Sequence, residues 1–486
     1  MLSQKPYQEL QTKIKNLEQL ARELDPSHEQ RKQMASQVMA YAEDYLNSLP
    51  NRLTYDHPPE NFAPEFPIEE QPVDLREILE MLHEQVNSKG INPASGGHLG
   101  YIPGGGLVPS AWGDFLADIT NRYSGIYFAS PGGVRMENTL VRWLCQLIGY
   151  DEKSGGTLTS GGSLANLTAI VNARDAHQIK AADISKSVIY YTAQIHHCAH
   201  KALHIAGLSE CQIREVPMID FRMNVEQLAK LVNNDLQKGL KPFMVMASAG
   251  TTEAGVVDPL EDIADVALEN NIWYHIDAAY GGFFLLTDYG KKVLKGIEKA
   301  DSVIIDPHKG MFLPYGSGAV LVKDQLKLYH SQHYFANYMQ DAIPAVDEMS
   351  PADLSPELSR HFRGMRMWLP LRLFGVGPFR AALEEKLWLA RYFYERLVET
   401  GLFEVGPSPE LSVTFFRYVP PEGSEGSIDE FNQRLVELIK SDGRVFFSST
   451  TLNGKFYLRL AVLNFRTHLE QIDLAMKILL EKIELL

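Results

Sequence analysis

Four short stretches of the 486-residue chain hold side chains able to do chemistry. In "YYTAQIHHCAHKALHIAGL" (190–208), His196, His197, Cys198, His200 and His204 crowd together. His196 and His200 are four apart and on a helix would share one face. That is the spacing of a zinc-binding H-E-x-x-H motif, with His197 where the general-base Glu should stand. In "GGTLTSGGSLANLTAIVNARDAH" (155–177) a short strand runs into Gly161, Gly162 and Ser163, after which Leu164, Leu167, Ile170 and Val171 keep a helical period. Free N–H groups at such a helix start, approached over glycines and joined by a serine hydroxyl, make an anion cradle. A serine N-cap after a flexible turn is the plainer reading.

In "IWYHIDAAYGGFF" (272–284) an apolar strand ends in Asp277, followed by Ala278, Ala279, Gly281 and Gly282. A carboxylate there is costly unless paired, and the small residues leave room for a flat object above the strand end. Capping of the next turn is the alternative. In "SVIIDPHKGMFLPYGSGAVLV" (302–322) Lys309 follows Asp306, Pro307 and His308 between two apolar strands. Desolvated there, its amine would have a lowered pKa and attack carbonyls; a surface lysine in a turn is the ordinary alternative.

These residues need a frame. Between about 100 and 375, runs rich in β-branched and aromatic residues, at 187–193, 243–249, 272–278, 302–306 and 318–323, are mostly separated by helical stretches such as "LEDIADVALENN". Continuous apolar strands with helical crossovers predict an α/β fold: a central, mostly parallel sheet with helices on both faces. Ligands gather outside the carboxyl ends of such strands, where all four stretches would emerge. An anion cradle, a strand-end aspartate and a strand-end lysine are the three contacts that pyridoxal 5'-phosphate requires: phosphate, pyridine nitrogen and aldehyde. His196 would then stack on the pyridine face opposite Ala279. A flat partner suits an imidazole, and no second ligand group accompanies the cluster, so no metal site is assigned. A non-catalytic metal-binding protein built on residues 196–200 is the remaining alternative.

Three domains are expected: a helical arm and extended segment (1–95), the large cofactor-binding α/β domain (96–375) and a small α+β C-terminal domain (376–486), with strands at "LSVTFFRYV" and "KFYLRLAVL". In the arm, Leu10, Ile14, Leu17, Ala21 and Leu24 form one apolar stripe that needs a partner surface. Asp25-Pro26 reads as the cap and first position of a second helix. With 46 basic and 61 acidic side chains the net charge is −15, which gives no footprint for nucleic acid or an anionic membrane. Three scattered cysteines are no disulfide framework, and the N-terminus has no apolar run of membrane or signal length. A cytoplasmic protein is expected.

The motifs "TSGGSLAN", "HHCAHKA", "SAGTTEAGVVDP", "HIDAAYGG", "DPHKG" and "SRHFRGMRMWLPLRLFG" occur in that order over roughly 95–380. Together they resemble the group II pyridoxal-phosphate-dependent amino-acid decarboxylases, which include aromatic-amino-acid, glutamate and cysteine-sulfinate decarboxylases. The resemblance implies the type I fold of the aspartate-aminotransferase kind, with active sites at a homodimer interface. It implies release of carbon dioxide from an L-amino acid through a Lys309 Schiff base and a quinonoid intermediate. Asp277 would pair with the pyridinium, and Gly162, Ser163 and His308 would hold the phosphate. Thr251 would lie near the phenolic oxygen, and Tyr338 in "HYFANYMQDAIP" would return a proton to the α-carbon. His98, Tyr101 and Ile102 would line the substrate pocket. Relatives lacking the loop tyrosine tend toward oxidative deamination to an aldehyde, the second reaction to consider. Cys198 replaces the family's usual serine and Gly310 a bulkier residue. Asp306 stands where several members have asparagine beside the phosphate, which an acid would repel.

Overall fold

The computed structural model describes residues 5–334 and 348–486, in two compact units, Met1–Asn92 and Pro93–Leu486. Tyr338 lies outside the described residues. In the first unit, α1 (Lys5–Ala21) carries the expected stripe as far as Ala21, Leu24 falls in the 3-10 turn that follows (Arg22–Leu24), and Leu10, Ile14, Leu17 and Leu24 are all exposed. The second helix, α2 (His28–Ser48), begins two residues later than Asp25-Pro26 suggests. Ser27 is its cap: the Ser27 hydroxyl accepts from the Gln30 N–H (3.3 Å) and the Gln30 side chain accepts from the Ser27 N–H (2.8 Å). This reciprocal box satisfies two orphan donors where Asp25 could satisfy only one.

The second unit is built on seven strands: β1 (Gly155–Thr159), β2 (Ser187–Tyr191), β3 (Gln212–Glu215), β4 (Lys241–Ser248), β5 (Trp273–Asp277), β6 (Ser302–Ile305) and β7 (Gly318–Val322). Their order across the sheet is β1-β7-β6-β5-β4-β2-β3. Only β7 runs antiparallel to its neighbours. The carboxyl ends of the other six therefore share one edge. Val188, Ile276, Val303, Ile304 and Leu321 are fully buried, each worth about 1.5–3 kcal/mol relative to exposure, which is why these strands read as continuous apolar runs. β3, "QIRE", alternates half-buried with exposed residues at the sheet edge and lacks that signature.

A second, antiparallel sheet follows: β8 (Phe403–Val405), β9 (Val413–Tyr418), β10 (Ser448–Leu452) and β11 (Lys455–Ala461), in the order β8-β9-β11-β10. Phe393, Phe416, Leu458 and Met476 form its own core. Leu99 enters that core, its N–H donating to the Phe446 carbonyl (3.0 Å) and its carbonyl accepting from the Ala461 N–H (2.7 Å). The segment holding His98 is thus fastened to the small sheet. None of the described helices is long and apolar enough to cross a membrane.

Candidate active site

A cavity of about 270 Å³ opens at the shared strand edge. Gly162, Ser163, His196, Thr251, Asp277, Ala279, His308 and Lys309 all line it. His98, Tyr101 and Ile102 are not among its lining residues. His98 is buried against Tyr101 and Phe446, and burial pushes its imidazole down to about 4.

One wall is the start of helix α3 (Gly162–Ala176), which no side chain caps, so its first N–H groups remain available to an anion. Glycine is required at this turn. Gly161 has φ +152°, and a Cβ on Gly318 of β7 would lie 2.6 Å from the Gly161 carbonyl carbon. A Cβ on Gly162 would sit 2.9 Å from Asp306 Oδ2.

Asp277 ends β5, where Ala279 N–H donates to Oδ1 (3.1 Å) and Asn166 Nδ2 to Oδ2 (3.0 Å). In register beside it, β6 leads into Asp306, Pro307, His308 and Lys309. The Lys309 ammonium lies 3.0 Å from Asp306 Oδ2, and that carboxylate is 2% exposed. Burial alone would lower the Lys309 pKa, but Asp306 and Asp277 outweigh it and hold the ammonium above the ordinary lysine range. The expectation of a lowered pKa fails because a neighbouring carboxylate outweighs desolvation. Asp306 Oδ1 has no hydrogen-bond partner.

His308 Nδ1 donates to the Ser317 carbonyl, and burial keeps the ring below the usual imidazole pKa despite Asp306, 3.7 Å from Nε2. His196 is also lowered, by burial first, and its Nδ1 accepts from the Cys198 N–H (3.3 Å). His196 precedes helix α4 (Cys198–Ile205), while His200 within it bonds Tyr191 through Nδ1. The two therefore do not share a helix face. Among the described residues no group of three His, Cys, Asp or Glu side chains is arranged to hold a metal. Burial pushes the Cys198 thiol up to about 11, so it is a neutral wall rather than a nucleophile.

Two features escape the sequence patterns. Arg459, inside β11, is 3% exposed, yet its Nε and Nη2 have no partner. Burial lowers its pKa to about 10 against the pull of Tyr280, a cavity-lining residue, and Glu253. An arginine flanked by the buried Leu458 and Leu460 was the available signal. The other is a chain of buried polar groups behind Asp277, reached from Asn166.

An uncapped helix start, one amine paired with Asp306, a second strand-end carboxylate at Asp277 and two imidazoles whose pKa burial lowers, around a small cavity, fit a single-ring, phosphorylated aldehyde. Residues 59–419 match the family model described as the pyridoxal-dependent decarboxylase conserved domain. The chain is 33% identical to an aromatic-L-amino-acid decarboxylase of Bacillus atrophaeus, over 96% of this chain and 98% of that protein. It is 27% identical to a phenylacetaldehyde synthase of Arabidopsis thaliana, over 81% and 83%. Among solved structures, the Oryza sativa enzyme named TDC, with PLP and tryptamine, superposes with a TM-score of 0.89 at 22% identity, over 95% of this chain and 99% of that one.

Proposed function

The chain belongs to the pyridoxal-dependent decarboxylase family and is a pyridoxal-phosphate-dependent amino-acid decarboxylase, and from that premise we propose how its residues divide the work. Pyridoxal phosphate, when bound, supplies an aldehyde for covalent capture of an amine and a protonated ring that accepts the electron pair left by the departing carboxylate. The observation that carries the assignment is the shared cavity of Asp277, Lys309 and the uncapped α3 start.

Lys309 supplies the amine that holds the cofactor, and Asp306 holds the lysine's proton until attack. Asp277 would accept a hydrogen bond from the ring nitrogen and keep it protonated. His196 and Ala279, which line the same cavity, would pack on the ring. The α3 N–H groups of Gly162 and Ser163, with His308, would hold the phosphate, and Thr251 would serve the phenolic oxygen. Arg459, whose Nε and Nη2 have no partner, would bind the substrate α-carboxylate and so orient the bond to be broken. Tyr338 delivers a proton to the α-carbon after carbon dioxide leaves.

The substrate is an L-amino acid with an aromatic side chain. The name of the Bacillus relative supports this. An amine-release screen over aromatic, acidic and diamino acids tests it: turnover confined to acidic substrates overturns the aromatic reading. The aldehyde-synthase relative favours a second reaction, in which dioxygen is the oxidant and aldehyde, ammonia and hydrogen peroxide are released, and the same screen measures it. The working form is a homodimer joined partly through the exposed α1 stripe, which sedimentation tests. The cytoplasm suits its three buried, unpaired cysteines.

A further inference from the structure

Trp273, His275 and Asp277 alternate along β5 and so point to one face of the sheet. Ser302 of β6 stands in register with His275, and Asn166, one turn into α3, lies over the same face. Side chains from these elements form one chain of hydrogen bonds. Trp273 Nε1 donates to Ser302 Oγ (2.8 Å), Ser302 Oγ meets His275 Nδ1 (2.8 Å), His275 Nε2 meets Asn166 Oδ1 (2.8 Å), and Asn166 Nδ2 donates to Asp277 Oδ2 (3.0 Å). The second N–H of Asn166 points to Cys198 Sγ (3.2 Å). Ser302, His275 and Asn166 are all fully buried.

The direction of this chain is fixed by its ends. Indole N–H can only donate, and a carboxylate can only accept. Asn166 must therefore turn its NH₂ to Asp277 and its carbonyl to His275, which obliges Nε2 to carry a proton. Burial pushes the imidazole down to about 4, so the ring is neutral and Nδ1 is an acceptor, taking the Ser302 hydroxyl proton. If the amide were reversed, its oxygen would face the carboxylate and the two would repel.

We propose that His275, acting through Asn166, is a positioning residue for cofactor chemistry: it locks the amide orientation that suits the carboxylate of Asp277 and aims its free lone pairs at the ring nitrogen. The same helix then serves both ends of the cofactor, with its N-terminus at the phosphate and its Asn166 behind the ring. This rests on the assignment of Asp277 to the ring nitrogen.

The test uses reconstituted holoprotein carrying His275→Phe, His275→Gln, Asn166→Ala or Asp277→Asn. Three quantities are read: the visible absorption of bound pyridoxal phosphate across pH, its dissociation constant, and the thermal midpoint. His275→Phe should weaken retention roughly tenfold, the value of the Asn166–Asp277 hydrogen bond to a charged group that it leaves unlocked. It should also shift the spectrum in the same direction as Asp277→Asn. His275→Gln, whose amide N–H can replace Nε2–H, should restore both. Should His275→Phe fail to fold, Asn166→Ala must give the same spectral shift. A normal spectrum and affinity in Asn166→Ala or a folded His275→Phe, beside a shifted Asp277→Asn, overturns the positioning role. An unshifted Asp277→Asn overturns instead the assignment of Asp277 itself.

Discussion

Replacing Asp306 by asparagine should make Lys309 a faster nucleophile. The two side chains meet at 3.0 Å, and Lys309 is held above its ordinary pKa by Asp306 and Asp277 against burial. A hydrogen bond between charged groups contributes about 1.5–3 kcal/mol, and about 1.4 kcal/mol corresponds to one pKa unit. Loss of the Asp306 charge should therefore lower the Lys309 pKa, with Asp277 left in place. Below that pKa the free-amine fraction rises about 10- to 100-fold, and so should the rate at which apoprotein captures an aldehyde. Stopped-flow absorbance with phosphate-free pyridoxal isolates this effect from any relief of repulsion on a phosphate. The rate–pH profile of Asp306→Asn should keep the plateau of the parent protein and shift its midpoint to lower pH. Superimposable profiles would refute the claim that Asp306 holds the lysine's proton.

Burial holds free His308 below the ordinary imidazole range, and a bound phosphate must raise it. Binding then takes up a proton, so affinity for pyridoxal phosphate should rise as pH falls through the raised value and level off below the free-protein value. Fluorescence titrations should show that slope reduced in His308→Asn; equal slopes contradict the contact. Arg459→Met should raise the KM for substrate roughly 100- to 10,000-fold, two charged hydrogen bonds being lost, with the spectrum of the resting cofactor unchanged. An unaltered KM removes Arg459 from the substrate. Gly318→Ala drives a Cβ to 2.6 Å from the Gly161 backbone, and overpacking of this kind costs about 1–3 kcal/mol. Thermal unfolding should fall and cofactor affinity weaken together; a parental midpoint would show that the turn yields.

The large sheet was legible because six of its seven strands are buried and lack alternation, while β3, half-buried at an edge, was not. Asp277 and Lys309 stood out as charges at the ends of apolar runs, where desolvation demands a partner. The sign of the Lys309 shift was hidden, since three residues of spacing do not reveal that Asp306 turns back to within 3.0 Å. The α2 cap was misplaced because aspartate before proline is a strong local signal, yet Ser27 and Gln30 together satisfy more of the helix end. Asn166, His275 and Arg459 were invisible as a group: each is a polar residue between apolar neighbours in its own helix or strand, and only the packing of α3 on β5 and β6 joins the first two. His98 and its neighbours joined the small sheet through backbone bonds that side-chain patterns do not encode.

Borohydride reduction of the yellow holoprotein, followed by peptide mass spectrometry, tests the central claim most directly. One pyridoxyl-phosphate adduct per chain is expected, on Lys309, and it should be lost in Lys309→Ala. A stoichiometric adduct on another lysine, or none in protein that still releases amine, would contradict it.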